Sequence, residues 1–213
     1  MPVEGDAENV AEHAERTTDP VEIVQRCAHR GITLVTAESL TAGSLAARIA
    51  DVPGASAVLL GGVVAYCNEV KQNQLSVSPE LLEEKGAVDP VVAASMAQGA
   101  AEHLGADLGI ATTGVAGPAP HQGKDVGTVY LGLACRGEVA ERLSLSLPEH
   151  AEPHSDDGTQ GWLTGSLLLD LSPSTEDVDN MRAAIRQASV EGALKLIEDF
   201  LLTEPAGLPE AVE

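Results

Sequence analysis

Apolar residues follow two alternating patterns along the chain. Short runs rich in Val, Ile, Leu and Ala are typical of buried strands, and they alternate with longer stretches in which apolar residues recur at helical spacing. The predicted strands are 32–38, 56–66, 107–114, 126–135 and 138–147. The predicted helices are 21–30, a stretch within 39–55, 68–75, 78–86, 89–106 and 177–202. Helix start and stop signals support several of these, such as Ser78-Pro79 at one start and Gly31 after one end.

The order of these elements predicts the fold class. Strands and helices alternate first, and then two strands follow each other directly, joined at Arg136-Gly137. This order predicts an α/β fold: a three-layer α/β/α sandwich whose mixed sheet has parallel strands early and an antiparallel hairpin late. Ligands of such sheets bind beyond the carboxyl ends of the strands. The segments to examine are therefore ESLTAG (38–43), YCNEVK (66–71) and TTGVAGPAP (112–120).

Charge narrows the possible functions. The 213 residues include 12 Lys+Arg and 33 Asp+Glu, a formal net charge of −21. Proteins that grip nucleic acids or anionic membranes use Lys and Arg, so neither partner is expected. No apolar run is long enough to span a bilayer, and the acidic N-terminus lacks the order of a signal peptide. Three widely spaced cysteines form no metal or redox pattern, which favours free thiols in the cytoplasm.

The acidic residues are unevenly distributed, and this divides the chain. Residues 23–142 carry twelve acids and eight bases, so most of the negative charge lies outside this block. We predict an acidic, disordered extension over 1–19, a single domain over 20–203 with an acidic insertion at about 148–180, and a flexible tail over 204–213. The helix at 89–104 is rich in Ala and Val and has few charges, which suggests packing against a second copy in a homo-oligomer.

The first segment joins a predicted strand to a helix of small residues. Ser39 and Thr41 lie in this turn, and Gly43 allows close backbone approach. Free N–H groups at the start of a helix can bind a phosphate or an oxyanion. The alternative is that Ser39 and Thr41 only cap the helix, which is the commonest use of such residues.

The second segment places a lysine just past a predicted strand end. Lys71 is one of only four lysines and lies five residues after Tyr66. A lysine held near apolar strand ends can have a lowered pKa and act as a base, and a Ser–Lys pair can perform nucleophilic catalysis without a metal. The alternative is a solvated lysine on a short surface helix.

The third segment ends a predicted strand with hydroxyls and a Gly-rich loop. Thr113, Gly114 and Gly117 suit a phosphate or ribose, although a tight turn explains the same pattern. His150 and His154 are separated by a proline, which spoils the single helical face of a metal pair, and no metal site is expected. His121 lies in the loop next to the expected site and is a weaker ligand-contact candidate.

In their chain order, several motifs resemble the CinA C-terminal domain family. They are T-A-E-S-L-T-A-G (36–43), V-V-A-Y-C-N-E-V-K (63–71), K-G-A-V (85–88), T-T-G-V-A-G-P (112–118) and V-G-T-V-Y (126–130). The resemblance implies an α/β/α sandwich. It also implies hydrolysis of the carboxamide of nicotinamide mononucleotide to nicotinate mononucleotide and ammonia, which recycles pyridine nucleotide without a cofactor.

The resemblance also implies roles for individual residues. Ser39 matches the nucleophile, Lys71 the base and Tyr66 an aromatic hydroxyl beside the site. Thr113 matches a small hydroxyl before the Gly-rich loop. Arg182 and Arg186 resemble the two arginines of the last family helix, with Arg182 the better match for the substrate phosphate. Amides near Thr41–Gly43 would hold the oxyanion.

The chain departs from the family pattern around the last helix. This helix usually opens Gly-Asp-Arg, whereas here it reads Asn180-Met181-Arg182 after an acidic stretch. Ala42 and Asp125 replace a common Gly and a common Pro. These departures leave an alternative open, a non-catalytic nucleotide-binding or competence-associated regulatory module of the same fold.

Overall fold

The computed structural model describes residues 18–154, 161–171 and 178–203. Its helices are α1 (Pro20–Arg30), α2 (Ser44–Ala50), α3 (Asn68–Leu75), α4 (Pro79–Lys85), α5 (Pro90–Leu104), α6 (Gly137–Leu143) and α7 (Val178–Leu202). Its strands are β1 (Leu34–Glu38), β2 (Leu59–Val64), β3 (Leu108–Gly114), β4 (Thr128–Arg136), β5 (Glu152–Pro153) and β6 (Trp162–Asp170). The predicted extension and tail lie outside these residues, except for Thr18 and Asp19.

The strands form one mixed sheet in the order β2-β1-β3-β4-β6-β5. Strands β1, β2 and β3 are parallel, whereas β4 runs antiparallel to β3, and β6 antiparallel to β4. Because β1 is flanked by two parallel strands, the carboxyl ends of β1, β2 and β3 meet at one edge. The predicted fold class is confirmed, and the three segments expected to carry chemistry follow these three strands.

Two apolar layers cover the two faces of the sheet. On one face, β1, β3 and β4 pack with α1, α2, α6 and α7 around a buried cluster that includes Leu34, Ile110, Leu131 and Phe200. On the other face, alternate residues such as Val35 and Ala111 pack with α3, α4 and α5. This alternation produces the three-layer sandwich.

Helix α5 lies unusually close to the sheet. A Cβ atom on Gly132 of β4 would lie 2.0 Å from the backbone oxygen of Ala93, and one on Gly109 of β3 would lie 2.1 Å from that of Ala97. Small residues at these positions let helix and strand backbones touch, which explains how a chain with 2% aromatic residues fills its core. The small residues of α5 that suggested a contact between copies therefore pack inside the domain, and the homo-oligomer stays a prediction.

The predicted hairpin partner of β4 is wrong. Residues 137–143 form α6, in which Val139 and Ala140 are buried. The pattern of EVAERL places its apolar residues at helical as well as alternating spacing, and burial against the core decides for the helix. Strand β4 pairs instead with β6, nine residues against nine, from Thr128 opposite Asp170 to Arg136 opposite Trp162.

Strand β6 lies within the segment interpreted as an acidic insertion. Its residues 162–170 belong to the central sheet, so this part of the segment is a component of the domain. Residues 155–160 and 172–177 lie outside the described parts of the chain. No helix in the described ranges is long and apolar enough to cross a membrane.

Candidate active site

A cleft of about 700 Å³ opens at the edge where β1, β2 and β3 end. All three segments singled out in the sequence contribute to its walls, and α7 closes one side through Arg182. The lining residues are Ser39, Leu40, Tyr66, Cys67, Asn68, Glu69, Lys71, Ala87, Val88, Thr113, Gly114, Val115, Ala116, Gly117, Pro118, Ala119, Pro120, His121, Gln122 and Arg182. The volume falls in the range typical of small-molecule sites.

Ser39 opens the turn that leads from β1 to α2. Its amide donates to the backbone oxygen of Thr112 on the neighbouring strand at 2.9 Å. Helix α2 begins only at Ser44, and its N-cap position is Gly43, with a φ of 94° and no capping side chain of its own. The interpretation of Ser39 and Thr41 as simple caps is therefore wrong, and the Ser39 hydroxyl is free to serve the cleft.

Lys71 reaches Ser39 from helix α3 below the cleft. Its Nζ lies 3.3 Å from the Ser39 Oγ and 2.8 Å from the backbone oxygen of Ala65, and the side chain is only 1% exposed. Burial lowers the pKa of Lys71 below its ordinary value, and the nearby Cys67 opposes this effect. The ion pairs between described residues do not include Lys71. The surface-lysine alternative is wrong.

The carboxylate of Glu38 holds the start of α2. One oxygen accepts from the amides of Gly43 at 2.8 Å and Leu45 at 3.0 Å, and the other accepts from the Ala46 amide at 2.8 Å and the Thr36 hydroxyl at 3.1 Å. Glu38 is 1% exposed, and it precedes Ser39 directly. The carboxylate therefore fixes the helix that follows the nucleophile turn.

Replacing Glu38 by glutamine is expected to lower the free energy of unfolding by roughly 2–3 kcal/mol. The glutamine amide group keeps the size of the side chain but places N–H donors against two of the four donors that the carboxylate now satisfies. Urea unfolding measures the loss.

Thr36→Val is the matched comparison for this change. It removes one of the four hydrogen bonds and should cost about 1 kcal/mol. Equal losses for Thr36→Val and Glu38→Gln would contradict the role of Glu38 as the principal cap of α2.

Tyr66 and Arg182 meet across the mouth of the cleft. The Arg182 Nη2 donates to the Tyr66 hydroxyl at 2.5 Å, and its Nη1 donates to the backbone oxygen of Gly117 at 2.8 Å. Tyr66 is 57% exposed. Despite the altered residues before it, Arg182 thus presents a positive charge at the cleft, linked to both the β2 end and the Gly-rich loop.

Arg186, one helical turn further along α7, contacts the nucleophile turn instead. Its Nε donates to the backbone oxygen of Leu40 at 2.9 Å, and its Nη2 donates to the backbone oxygen of Thr41 at 2.9 Å and to the Ser44 Oγ at 3.2 Å. It is not among the residues that line the cleft. The two arginines therefore have different surroundings, and of the two only Arg182 lines the cleft.

Two predicted substrate contacts need correction. The Thr41 side chain is fully buried, with its hydroxyl 2.7 Å from that of Thr112, so it does not reach the cleft. The Gly43 amide cannot hold an oxyanion because it already donates to Glu38. Thr41 and Gly43 instead stabilise the turn from inside the protein, Thr41 through its contact with Thr112 at the end of β3 and Gly43 through Glu38 at the end of β1.

The remaining predicted residues do line the cleft. Thr113 is 1% exposed, and its hydroxyl donates to the backbone oxygen of Ala87 at 2.6 Å, which ties the β3 end to the segment before α5. Gly114 and Gly117 form the loop beyond it, and a Cβ on Gly117 would lie 3.0 Å from Val126. His121 is exposed at the rim.

Sequence reasoning missed the roles of Glu38 and Arg186 in building the turn. A carboxylate at the end of a buried strand is one available signal, because such a charge must find several donors. The spacing of Arg182 and Arg186 by four residues is another, since it places both on one helix face. The groups of His, Cys, Asp and Glu among the described residues include none that could hold a metal ion.

Comparison with known sequences relates the chain to a single protein family. The family profile of the CinA C-terminal domain matches residues 17–153. A CinA-like protein of Frankia casuarinae is 54% identical over 182 residues, covering 85% of this chain and 34% of the relative. A CinA-like protein of Parasynechococcus marenigrum is 46% identical over 121 residues, covering 54% of this chain and 28% of the relative. The chain thus spans about a third or less of these relatives.

Solved structures resemble the whole domain. A competence-damaged protein (CinA) superfamily protein from Klebsiella pneumoniae has 26% identity and a TM-score of 0.68, covering 88% of this chain and 98% of that one. The competence/damage inducible protein CihA from Agrobacterium tumefaciens has 28% identity and a TM-score of 0.64, covering 84% and 93%. The fold, including the region beyond residue 153, is therefore shared with these proteins.

Proposed function

We propose that the chain, which belongs to the CinA C-terminal domain family, is an amidohydrolase. Its substrate is nicotinamide mononucleotide, and its products are nicotinate mononucleotide and ammonia. The observation that carries this proposal is the contact between the Lys71 Nζ and the Ser39 Oγ, 3.3 Å apart at the floor of the cleft. A serine beside a buried lysine is an activated nucleophile that needs neither histidine nor metal.

The environment of Lys71 favours the neutral amine that a base requires. Burial lowers the pKa of Lys71, and no carboxylate of the described residues forms an ion pair with it to restore the charge. The hydrogen bond to the Ala65 oxygen at 2.8 Å uses one N–H of the amine and leaves its lone pair for the Ser39 proton. The pair can therefore exchange a proton directly.

The reaction then proceeds through an ester of Ser39. The Ser39 Oγ bonds to the carboxamide carbon while its proton moves to the Lys71 Nζ. The carbon–nitrogen bond breaks, and the leaving amide nitrogen takes that proton to depart as ammonia. Water, deprotonated in turn by Lys71, attacks the ester and releases nicotinate mononucleotide with the serine restored. One amide and one water thus give one carboxylic acid and one ammonia.

The charged groups of the cleft suit a nucleotide with a positive ring and a negative phosphate. Arg182 supplies a positive charge with planar donors at the mouth, a geometry that fits phosphate. Glu69 also lines the cleft, and hydrogen bonds from its own backbone and from Cys67 lower its pKa, so it is ionised at neutral pH. A small phosphorylated ligand is compatible with a protein of net charge −21 because one arginine faces the site.

Incubating the purified protein with nicotinamide mononucleotide tests the proposal through the ammonia that is released. We expect turnover with the nucleotide and at least about tenfold lower kcat/KM with the riboside, which lacks the phosphate that Arg182 would bind. Heat-treated protein is the background control.

Binding without turnover would instead favour the regulatory alternative. In that case calorimetry would detect binding of the nucleotide, this binding would weaken when Arg182 is replaced, and no ammonia would form. If the protein neither binds the nucleotide nor releases ammonia, both proposed functions of the site are contradicted.

A further inference from the structure

The backbone of the nucleophile turn has nearly all of its hydrogen-bonding groups in use. The Ser39, Ala42 and Ser44 amides donate to backbone oxygens, and the Gly43 amide donates to Glu38. In the described parts of the chain, two amides of this turn have no acceptor, those of Leu40 and Thr41. Leu40 lines the cleft, so its unused amide is available to a ligand, whereas Thr41 is fully buried and lies outside the cleft wall.

The carbonyl groups of the same peptide units are held from the opposite side. The Ser39 oxygen accepts from the Ala42 amide at 3.2 Å, and the Leu40 oxygen accepts from the Arg186 Nε at 2.9 Å. In a planar trans peptide the C=O and the next N–H point in opposite directions. Fixing the Ser39 oxygen therefore sets the direction of the Leu40 N–H, and fixing the Leu40 oxygen holds the next peptide unit of the turn in place.

We infer that Arg186 is a positioning residue that holds the nucleophile turn so that the Leu40 amide serves as an oxyanion donor in the reaction of Ser39. This inference rests on the proposed function for its reaction. The guanidinium donates to the Leu40 oxygen, and this charge-assisted hydrogen bond fixes the peptide unit that follows the Leu40 amide. Its second contact, to the Thr41 oxygen, and its third, to Ser44, keep the turn from rotating.

The contacts of Arg186 distinguish it from Arg182. Arg182 lines the cleft and would contact the substrate directly, whereas Arg186 is absent from the cleft wall and is half-buried against the turn. Loss of Arg182 should therefore weaken binding, and loss of Arg186 should slow the chemical step. This difference separates a ligand contact from a positioning role.

Steady-state kinetics on Arg186→Gln and Arg186→Lys test the inference. We expect kcat for ammonia release to fall about 10²-fold in Arg186→Gln, with KM changed less than about threefold. Arg186→Lys keeps the charge but not the fork of donors and should lie between Arg186→Gln and the wild type. Arg182→Met should instead raise KM about tenfold.

Arg30→Gln is the matched control for stability. Arg30, the last residue of α1, donates to the backbone oxygen of Leu201 at 2.9 Å, at the far end of α7 from the cleft. The Arg30→Gln substitution should lower the free energy of unfolding by about as much as Arg186→Gln does, and it should leave kcat unchanged. If Arg186→Gln unfolds, the comparison is made on Arg186→Lys, whose fraction folded is checked by circular dichroism.

A probe that needs no natural substrate separates this inference from the proposed function. A fluorophosphonate bonds through phosphorus to the Ser39 Oγ as fluoride leaves and the serine proton passes to Lys71, and its P=O oxygen needs the same amide donor. Labelling of Ser39 should be about 10²-fold slower in Arg186→Gln than in Arg30→Gln. Equal labelling rates, or a raised KM with unchanged kcat, would overturn the inference even if the substrate proves different.

Discussion

Replacing Lys71 by methionine is expected to lower kcat/KM for nicotinamide mononucleotide by about 10³-fold or more. Methionine fills the same buried space on α3 but cannot take the proton of Ser39, whose Oγ lies 3.3 Å from the lysine Nζ. A hydroxyl without a base is a poor nucleophile at neutral pH. The rate of ammonia release, measured at several substrate concentrations, gives the loss.

Lys85→Met is the matched control for this variant. Lys85 is exposed on α4 and pairs with Glu84 at 2.9 Å, so its loss should leave the kinetics unchanged. In Lys71→Met the Ala65 oxygen loses its partner, at a cost of about 1 kcal/mol, while a buried amine is removed. Lys71→Met should therefore remain folded, and activity above about a tenth of the wild type would contradict the role of Lys71.

The lowered pKa of Lys71 also determines how activity and stability depend on pH. Only the neutral amine accepts the Ser39 proton, so kcat/KM should rise with pH through the native pKa of Lys71, which lies below its ordinary value of 10.5. Between the native pKa and 10.5 the unfolded chain binds the extra proton, so the free energy of unfolding rises with pH and levels off above 10.5. In Lys71→Met this rise of the free energy of unfolding with pH should be absent.

The location of the site was predictable because it follows from local pattern and sheet geometry. Alternating strands and helices indicate parallel strands, and parallel strands place their carboxyl ends at one edge. Ser39, Tyr66 and Thr113 all lie just beyond or at such ends, so one sheet edge had to bring them together. That reasoning needs no knowledge of side-chain contacts.

The pairing of β4 and the details of the turn were not predictable in this way. Residues 138–147 and 162–170 compete for the same strand edge, and the choice depends on core packing far along the chain. The Gly43 amide is a similar case, because it donates to Glu38 of the preceding strand and is therefore not available to an oxyanion. Each outcome is set by which tertiary partner packs more favourably against a shared group, and sequence spacing does not record this.

The net charge of −21 also has a different meaning once the structure is known. The cleft presents Arg182, and Lys71 lies buried beneath it, so two of the 12 bases of the chain lie where a ligand would bind. Strand β6 lies within the predicted acidic insertion at about 148–180 and belongs to the sheet, and the only acid of this strand, Asp170, lies at its end. The excess acid therefore does not exclude a small phosphorylated ligand.

Ammonia release by Ser39→Ala beside the wild type is the measurement that tests the Ser39–Lys71 mechanism most directly. The substitution removes the attacking oxygen and, among the described side-chain contacts, only the bond to Lys71, so the fold should persist. Ser56→Ala, at an exposed serine before β2, is the control. We predict wild-type turnover in Ser56→Ala and a loss of at least about 10³-fold in kcat in Ser39→Ala. Ammonia release by Ser39→Ala at a rate near that of the wild type would contradict the mechanism.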